Sequence, residues 1–102
     1  MMEVLTDATF DKAKKGNVVL DFYADWCGPC RMFAPTFEKV SKELTTVHLF
    51  KVDTEQSPMV STQYGIRSIP TIAFLKDGKE VHREMGVLQE ADFKAVIKKI
   101  FG

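Results

Sequence analysis

Residues 18–23 constrain the fold of this chain most strongly, because they form a β-rich run with apolar side chains on both faces. A strand of this kind is stable only when other elements cover both of its faces, as in parallel sheets. A stretch with helical periodicity follows it, with Phe33, Phe37, Val40 and Leu44 on a single helical face. The sequence therefore predicts a central strand that lies between layers of helices.

Strand-like and helix-like segments alternate along the chain. We predict strands at residues 3–5, 18–23, 47–53, 71–75 and 80–85. We predict helices at residues 7–15, 30–44, 58–64 and from Ala91 onward. Strand–helix–strand units give parallel neighbours, and Asp77-Gly78 favours a tight hairpin between the last two strands. The expected fold class is α/β, with a central mixed β-sheet flanked on both faces by about four helices.

Three residues define how the predicted helices begin and continue. Thr6 is expected to be the N-cap of the first helix. Ser57 is expected to cap the third, with Pro58 at its first helical position. Pro35 lies inside the second helical pattern, where it is expected to kink or restart the helix.

Length and charge exclude several classes of protein. The chain has 102 residues, so we expect residues 1–102 to form a single domain. Its 14 basic and 14 acidic side chains give no basic face, which argues against binding to nucleic acid or to an anionic membrane. The longest nearly apolar run, residues 18–24, is far shorter than the roughly 20 residues of a spanning helix. The first ten residues lack the cationic start of a secretory signal, so we expect a cytoplasmic protein.

The two cysteines, Cys27 and Cys30, lie where the buried strand is predicted to give way to the long helix. N–H groups and the helix dipole at a helix start favour negative charge, which lowers the pKa of a thiol. Residues i and i+3 of a helix have Cα atoms about 5 Å apart, within the roughly 4.4–6.8 Å range of disulfides. The pair can therefore alternate between dithiol and disulfide, while Gly28 lets a partner chain approach closely and Pro29 stiffens the turn.

Other uses of two cysteines are less favoured. A structural disulfide at this spacing would close a very small loop and constrain the unfolded chain little. Zinc usually needs four ligands, and the remaining candidates, His48 and His82, lack ligand-like spacing. A c-type haem site would need histidine at the position of Arg31. Two inert buried thiols remain an alternative to redox chemistry.

Asp21 is a carboxylate within the apolar central strand. Burial would raise its pKa, and a proton acceptor near the cysteines would help to form the second thiolate. An exposed strand end or a structural hydrogen-bond partner explains the residue equally well. Lys51 in the next strand could be its charge partner, although a surface lysine is the favoured explanation from the residues alone.

The chain as a whole closely resembles the thioredoxin family, over essentially its full length. The residues that carry the resemblance are the run 19–30 with its WCGPC segment, Pro35, the runs 51–53 and 64–71, Gly78 and Gly86. A Cys-x-x-Cys pair alone is a weak signal, whereas this order of motifs is highly specific. The resemblance implies the thioredoxin fold.

The resemblance also implies a role for each matching residue. Cys27 would be the more exposed nucleophile that attacks a target disulfide, and Cys30 the buried thiol that resolves the mixed disulfide. Asp21 would assist proton transfer at Cys30, with Lys51 as the neighbour that tunes it. Pro70 would be the family's cis-proline, packed opposite the disulfide.

An apolar surface for substrate chains is implied at Trp26, Ile69, Pro70 and Gly86. Core packing is the alternative for Trp26. In the family this surface is flat and receives the chain of the substrate protein.

Three positions depart from the commonest bacterial pattern. Tyr23 stands where tryptophan is frequent, Arg31 replaces a frequent lysine, and Ser68 replaces a frequent glycine. Arg31 keeps the positive charge beside the thiols. None of the three removes a group that the implied mechanism needs, so they bear on partner preference and redox potential.

The function implied by the resemblance is general protein-disulfide reduction through a mixed disulfide. The implied electron path runs from NADPH through a thioredoxin reductase, with no bound cofactor or metal in a monomeric protein. Implied targets include ribonucleotide reductase, peroxiredoxin and methionine sulfoxide reductase. Two other functions stay open: an oxidase or isomerase on the same fold, and a redox-independent binding module that uses the apolar patch around Trp26 and Ile69.

Overall fold

Five strands form one mixed β-sheet in the computed structural model, which describes residues 2–102. In chain order the strands are β1 (Val4–Leu5), β2 (Asn17–Tyr23), β3 (His48–Asp53), β4 (Thr71–Lys76) and β5 (Lys79–Met85). Across the sheet their order is β1-β3-β2-β4-β5. Strands β1, β3 and β2 run parallel, and β4 is antiparallel to both β2 and β5. The strand predicted to be central is therefore the middle strand of the sheet.

Helices cover both faces of this sheet. Within residues 2–102 they are a 3-10 helix (Phe10–Ala13), α1 (Gly28–Glu43), α2 (Pro58–Gln63) and α3 (Glu90–Phe101). The α/β fold class is confirmed, with three α-helices where about four were expected. The segment at residues 7–15 forms only the short 3-10 helix, because its two buried side chains, Phe10 and Ala13, have the three-residue spacing of that helix.

The side chains of β2 alternate between two cores, as its two apolar faces predict. Val18, Leu20 and Phe22 pack on the side of the 3-10 helix and α2. Val19 packs on the opposite side with aromatic residues of α1 and α3, of which Phe93 is fully buried. Because Asp21 and Tyr23 share the face of Val19, they lie on the side of the sheet that α1 covers.

Three predicted helix features differ in the structure. Helix α1 continues without interruption through Pro35, so the expected restart is wrong. Ser57 is the N-cap residue of α2, but its side chain makes no capping hydrogen bond. Asp7, near the N-terminus of the chain, takes that place, because its carboxylate accepts hydrogen bonds from the backbone N–H groups of Met59 and Val60 at 3.2 and 2.9 Å. Thr6 likewise caps no α-helix, since the 3-10 helix begins after Thr9.

The last two strands form the predicted hairpin. Asp77 and Gly78 connect β4 to β5, and both have positive φ, at 48° and 84°. This conformation suits a two-residue turn whose twist matches that of the strands. Strand β5 lies at the edge of the sheet, as its more polar sequence predicts. No helix in the described part of the chain is long and apolar enough to cross a membrane.

Candidate active site

The cysteine pair lies at the junction of β2 and α1, at the carboxyl end of the central strand. Cys27 and Cys30 form a disulfide, and their Cα atoms are 5.2 Å apart. Cys27 is the N-cap residue of α1, and its Sγ accepts a hydrogen bond from the backbone N–H of Cys30 at 3.2 Å. A thiolate on Cys27 would therefore receive one hydrogen bond and lie at the positive end of the helix dipole.

Exposure separates the two cysteines only slightly. Cys27 is 5% exposed and Cys30 is 3% exposed, so both sulfurs are buried in the disulfide form. The resemblance implies that Cys27 is the more exposed of the pair, and in the disulfide form the difference between the two is small. Their positions differ more, because Cys27 precedes the helix whereas Cys30 lies within it.

Gly28 and Pro29 form the first two positions of α1. Proline is well suited to this place, where a missing N–H costs the helix nothing. A Cβ atom at Gly28 would have no neighbour within 4 Å, so the space beside the disulfide is open. Arg31 follows in the same turn, and its Nη1 donates a hydrogen bond to the carbonyl oxygen of Asp25 at 2.8 Å.

Trp26 is exposed on the surface beside the disulfide, with 66% of its area accessible. Core packing, the alternative for this residue, is therefore wrong. The indole Nε1–H donates a hydrogen bond to Oε2 of Glu55 at 2.7 Å. Sequence reasoning missed Glu55, because only the folded turn after β3 brings it next to Trp26.

The turn that carries Glu55 is itself fastened to the end of β2. The backbone N–H and the hydroxyl of Thr54 both donate hydrogen bonds to the carbonyl oxygen of Tyr23, at 2.9 and 3.1 Å. Asp53 Oδ1 accepts a hydrogen bond from the backbone N–H of Glu55 at 2.9 Å. These bonds hold the Glu55 carboxylate in a defined place for the exposed indole.

Ile69 and Pro70 approach the disulfide from the loop before β4. The peptide bond between them is cis. The carbonyl oxygen of Ile69 lies 3.8 Å from Sγ of Cys27, and the Ile69 side chain packs against the cysteine pair. Pro70 accepts a hydrogen bond at its carbonyl oxygen from the N–H of Gly86 at 2.9 Å.

Gly86 follows directly after β5 and has a φ of 92°, which a residue with a side chain rarely adopts. The chain on either side of it is apolar and accessible, since Met85 and Val87 are both exposed. Neither was singled out from the sequence, because apolar residues near a strand end are usually assigned to the core. Ile69 packs against the cysteine pair and Trp26 is exposed next to Cys27 in the chain, while Met85 and Val87 add exposed apolar surface on either side of Gly86.

Asp21 is fully buried, and neither carboxylate oxygen has a hydrogen-bond partner within residues 2–102. Burial raises its pKa to about 7, and the positive charge of Lys51 acts in the opposite direction. On the same face of β2, Val19 packs against the α1 aromatics and Tyr23 packs against the cysteine cluster. Asp21 lies between them on the side of the sheet that α1 covers, with a proton affinity suited to exchange near neutral pH.

Lys51 is the strand partner of Asp21 across β2 and β3. Its Nζ lies 4.2 Å from the centre of the Tyr23 ring, in a cation–π arrangement. The ammonium group is not in hydrogen-bond contact with Asp21, because both oxygens of that carboxylate are unpartnered. The structure thus brings Lys51 near Asp21, as an influence on its charge and not as a paired ion.

The other polar clusters of residues 2–102 offer no metal site. No group of three or more histidine, cysteine, aspartate or glutamate side chains is close enough to hold an ion. His48 stacks on Phe50, and His82 contacts Glu84, so each histidine has a local partner.

A disulfide that joins the N-cap of a helix to the next turn, at the carboxyl end of a central strand, defines a class of proteins. Its sulfurs are poised for exchange by the helix terminus, and apolar surface surrounds them. The fold and the site together are those of a thiol–disulfide oxidoreductase.

Comparisons with known proteins identify the family. The thioredoxin family model matches residues 1–99. Thioredoxin of Chlamydia trachomatis is 41% identical over 100 residues, which cover 97% of this chain and 98% of that protein. Chloroplastic M-type thioredoxin of Pisum sativum is 37% identical over 96% of this chain and 59% of its own length. The crystal structure of Malassezia sympodialis thioredoxin (Mala s 13) superposes with a TM-score of 0.84 at 32% identity, covering 97% of this chain and 90% of that one.

The chain belongs to the thioredoxin family. With its Cys27–Cys30 pair it is a protein-disulfide reductase that acts by dithiol–disulfide exchange. The resemblance inferred from the motif order is confirmed, as is the thioredoxin fold.

Proposed function

We propose that Cys27 is the nucleophile of a general protein-disulfide reductase and that Cys30 is the resolving thiol. The observation that carries this assignment is the hydrogen bond from the backbone N–H of Cys30 to Sγ of Cys27, at the N-cap of α1. An N–H donor and a helix N-terminus both favour a thiolate over a thiol. The proposal therefore gives the first attack to Cys27.

The exchange proceeds in two displacements. The Cys27 thiolate attacks one sulfur of a target disulfide, forming a new S–S bond and releasing the other target sulfur as a thiolate. The Cys30 thiolate then attacks Sγ of Cys27, which closes the Cys27–Cys30 disulfide and releases the second target sulfur. The target gains two electrons and binds two protons, and this protein is left oxidised.

Asp21 accepts the proton of the Cys30 thiol before the second displacement. Its burial on the α1 side of the sheet supports this role, as does a pKa raised by burial to about 7. A carboxylate with this proton affinity can both accept and return a proton near neutral pH. Lys51 tunes Asp21 through its positive charge, which lowers the pKa that burial raises.

The target protein binds through the residues around its own disulfide, and it binds to the apolar surface at Trp26, Ile69, Pro70 and Gly86. This proposal is supported by the exposure of Trp26 and by the closeness of Ile69 to Sγ of Cys27. Open space at Gly28 gives the target sulfur access to the nucleophile, and Pro29 keeps the first turn of α1 rigid. Pro70 holds the loop that faces the disulfide.

We further propose that residues 1–102 act as one domain and as a monomer in the cytoplasm. Electrons come from NADPH through a thioredoxin reductase, and the targets are disulfide-forming enzymes such as ribonucleotide reductase, peroxiredoxin or methionine sulfoxide reductase. These assignments rest on the membership of the chain in the thioredoxin family and on its similarity to bacterial thioredoxins.

The experiment is NADPH-coupled reduction of a protein disulfide in the presence of thioredoxin reductase. The expected result is turnover by the wild type and loss of turnover in Cys27→Ser. Several reductases are needed, because a mismatched partner would mimic an inactive protein. Ala91→Ser, an exposed serine substitution on α3, is the matched control and should retain wild-type turnover.

Two results would contradict the proposal. Retained turnover in Cys27→Ser would remove the nucleophile assignment. Absence of turnover with every reductase, in a folded wild-type protein with free thiols, would favour a different electron donor, an oxidising role or a binding module.

A further inference from the structure

Lys51 and Asp21 face each other across β2 and β3, yet they do not form a close ion pair. The ammonium group lies instead 4.2 Å from the centre of the Tyr23 ring. An unpartnered buried carboxylate is the strongest attraction that such an ammonium could meet nearby. In the structure the ammonium is engaged with the ring and not with the carboxylate.

Tyr23 is placed to engage the ammonium by the geometry of the strand. It is two residues from Asp21 on β2, so both side chains project from the same face of the sheet. The negative face of an aromatic ring attracts a cation, and a half-buried ring excludes water from one side of that contact. Tyr23 also packs against the cysteine cluster, which fixes its ring on the α1 side.

We propose that Tyr23 is a positioning residue whose ring holds the Lys51 ammonium close to Asp21 but out of direct contact with it, so that Asp21 remains able to take up a proton at neutral pH. This inference rests on the proposed role of Asp21 as proton acceptor. It gives a function to one of the three positions where this chain departs from the commonest bacterial pattern.

Direct contact with Lys51 would change the chemistry of Asp21. An opposite charge within hydrogen-bond distance stabilises a carboxylate and lowers its pKa. In the structure burial dominates, which raises the pKa of Asp21 to about 7, and Lys51 opposes it only from a distance. A carboxylate locked in an ion pair would accept a proton from a thiol less readily.

The other groups around Asp21 do not account for this balance. Strand β4 places the apolar Ile72 opposite it, and the start of α1 carries the Cys27–Cys30 disulfide, which does not titrate. Tyr23 itself does not titrate in the relevant range, because burial, and secondly the Asp53 carboxylate, raises the pKa of its phenol above the ordinary value. Lys51 is therefore the cation through which Tyr23 can act on Asp21.

The test is the titration midpoint of the Asp21 carboxyl carbon, followed by NMR in the intact protein from about pH 5 to 9. Removing the ring in Tyr23→Leu should let the ammonium pair with the carboxylate and lower the midpoint by about half a pH unit. Tyr23→Phe retains the ring and should leave the midpoint unchanged. In a Lys51→Met background, Tyr23→Leu should have no effect.

Three results would overturn the proposal: an unchanged midpoint in Tyr23→Leu, an upward shift, or an equal shift in the Lys51→Met background. The last would mean that the ring acts by excluding water from Asp21. If Tyr23→Leu does not fold, pentafluorophenylalanine at position 23 keeps the ring shape and reverses its electrostatic face, so it should lower the midpoint in the same way.

This measurement is independent of the proposed proton transfer. The rate at which Cys30 resolves a mixed disulfide, compared between wild type and Asp21→Asn, tests that transfer separately. An unchanged rate would refute the role of Asp21 as proton acceptor while leaving a Lys51-dependent effect of Tyr23 on the Asp21 midpoint in place. A slower rate in Asp21→Asn, together with an unchanged Asp21 midpoint in Tyr23→Leu, would support the role of Asp21 and refute the role proposed for Tyr23.

Discussion

Replacing Asp21 with asparagine should stabilise the fold at alkaline pH and change its stability little at acidic pH. Burial raises the pKa of Asp21 from 3.8 to about 7 in the folded protein. Between about pH 4 and 7 the folded state therefore holds a proton that the unfolded chain releases. The contribution of Asp21 to the free energy of unfolding is therefore highest below about pH 4, declines as the pH rises, and becomes level above about pH 7.

The size of this decline follows from the two pKa values. At about 1.4 kcal/mol for each pH unit between them, the ionised carboxylate costs the folded state about 4 kcal/mol at pH 8. Asparagine has nearly the same shape and carries no charge at any pH. Asp21→Asn should thus exceed the wild type by up to about 4 kcal/mol at pH 8, and the difference should shrink toward zero near pH 4.

The assay is urea unfolding of the disulfide form between about pH 4 and 9, followed by circular dichroism. Trp26 is the only tryptophan of the chain, so its fluorescence gives a second probe. Asp92→Asn, at an exposed position of α3, is the matched control and should keep the wild-type dependence on pH. Parallel stability curves for wild type and Asp21→Asn across this range would refute the reasoning, because they would mean that Asp21 titrates equally in the folded and unfolded states.

Three further substitutions test other contacts. Glu55→Ala removes the hydrogen-bond acceptor of the Trp26 indole, so Trp26 fluorescence anisotropy should fall and KM for a protein disulfide should rise several-fold with little change in kcat. Glu55→Gln should give an intermediate anisotropy, and equal anisotropy in Glu55→Ala and wild type would argue against the contact. Asp7→Ala removes the carboxylate that caps α2 and should lower the free energy of unfolding by about 1 kcal/mol in urea, whereas an unchanged midpoint would contradict the cap. Phe93→Ala removes a fully buried ring that packs against other aromatic side chains, and it should lower the free energy of unfolding by about 3–5 kcal/mol. A loss below about 1 kcal/mol in the same urea assay would contradict this packing.

The central strand could be predicted from the sequence because its residues are apolar on both faces, which is unfavourable unless both faces are covered. Residues 18–23 are apolar on both faces, and the structure buries both faces. The hairpin was predictable for a different reason, since Asp77-Gly78 supplies the two positive φ values that the turn requires. Both signals are local, and tertiary contacts agree with them.

Helix details were less predictable, because they depend on contacts with distant residues. Asp7 replaces Ser57 as the side chain that caps α2, although more than 50 residues separate it from the N–H groups that it binds. Pro35 does not end α1, because its side chain is exposed and the apolar face of the helix continues on either side of it. Propensity at a single position does not outweigh a long buried face.

The cysteine pair was predictable from spacing and position, whereas its surroundings were not. Asp21 was recognisable as a carboxylate in an apolar strand, and its raised pKa follows from that burial. The contacts of Trp26 with Glu55 and of Lys51 with Tyr23 depend on where a turn and a flexible side chain come to rest. No sequence pattern encodes these placements.

The division of labour between the two cysteines is tested most directly by trapping the mixed disulfide. Reduced Cys30→Ser and reduced Cys27→Ser are each mixed with a disulfide-containing protein, and the products are resolved by non-reducing electrophoresis and mass spectrometry. Cys30→Ser should accumulate a covalent complex through Cys27, because no thiol remains to resolve it, and Cys27→Ser should form little or none. Equally rapid complex formation by Cys27→Ser would contradict the assignment of Cys27 as the nucleophile.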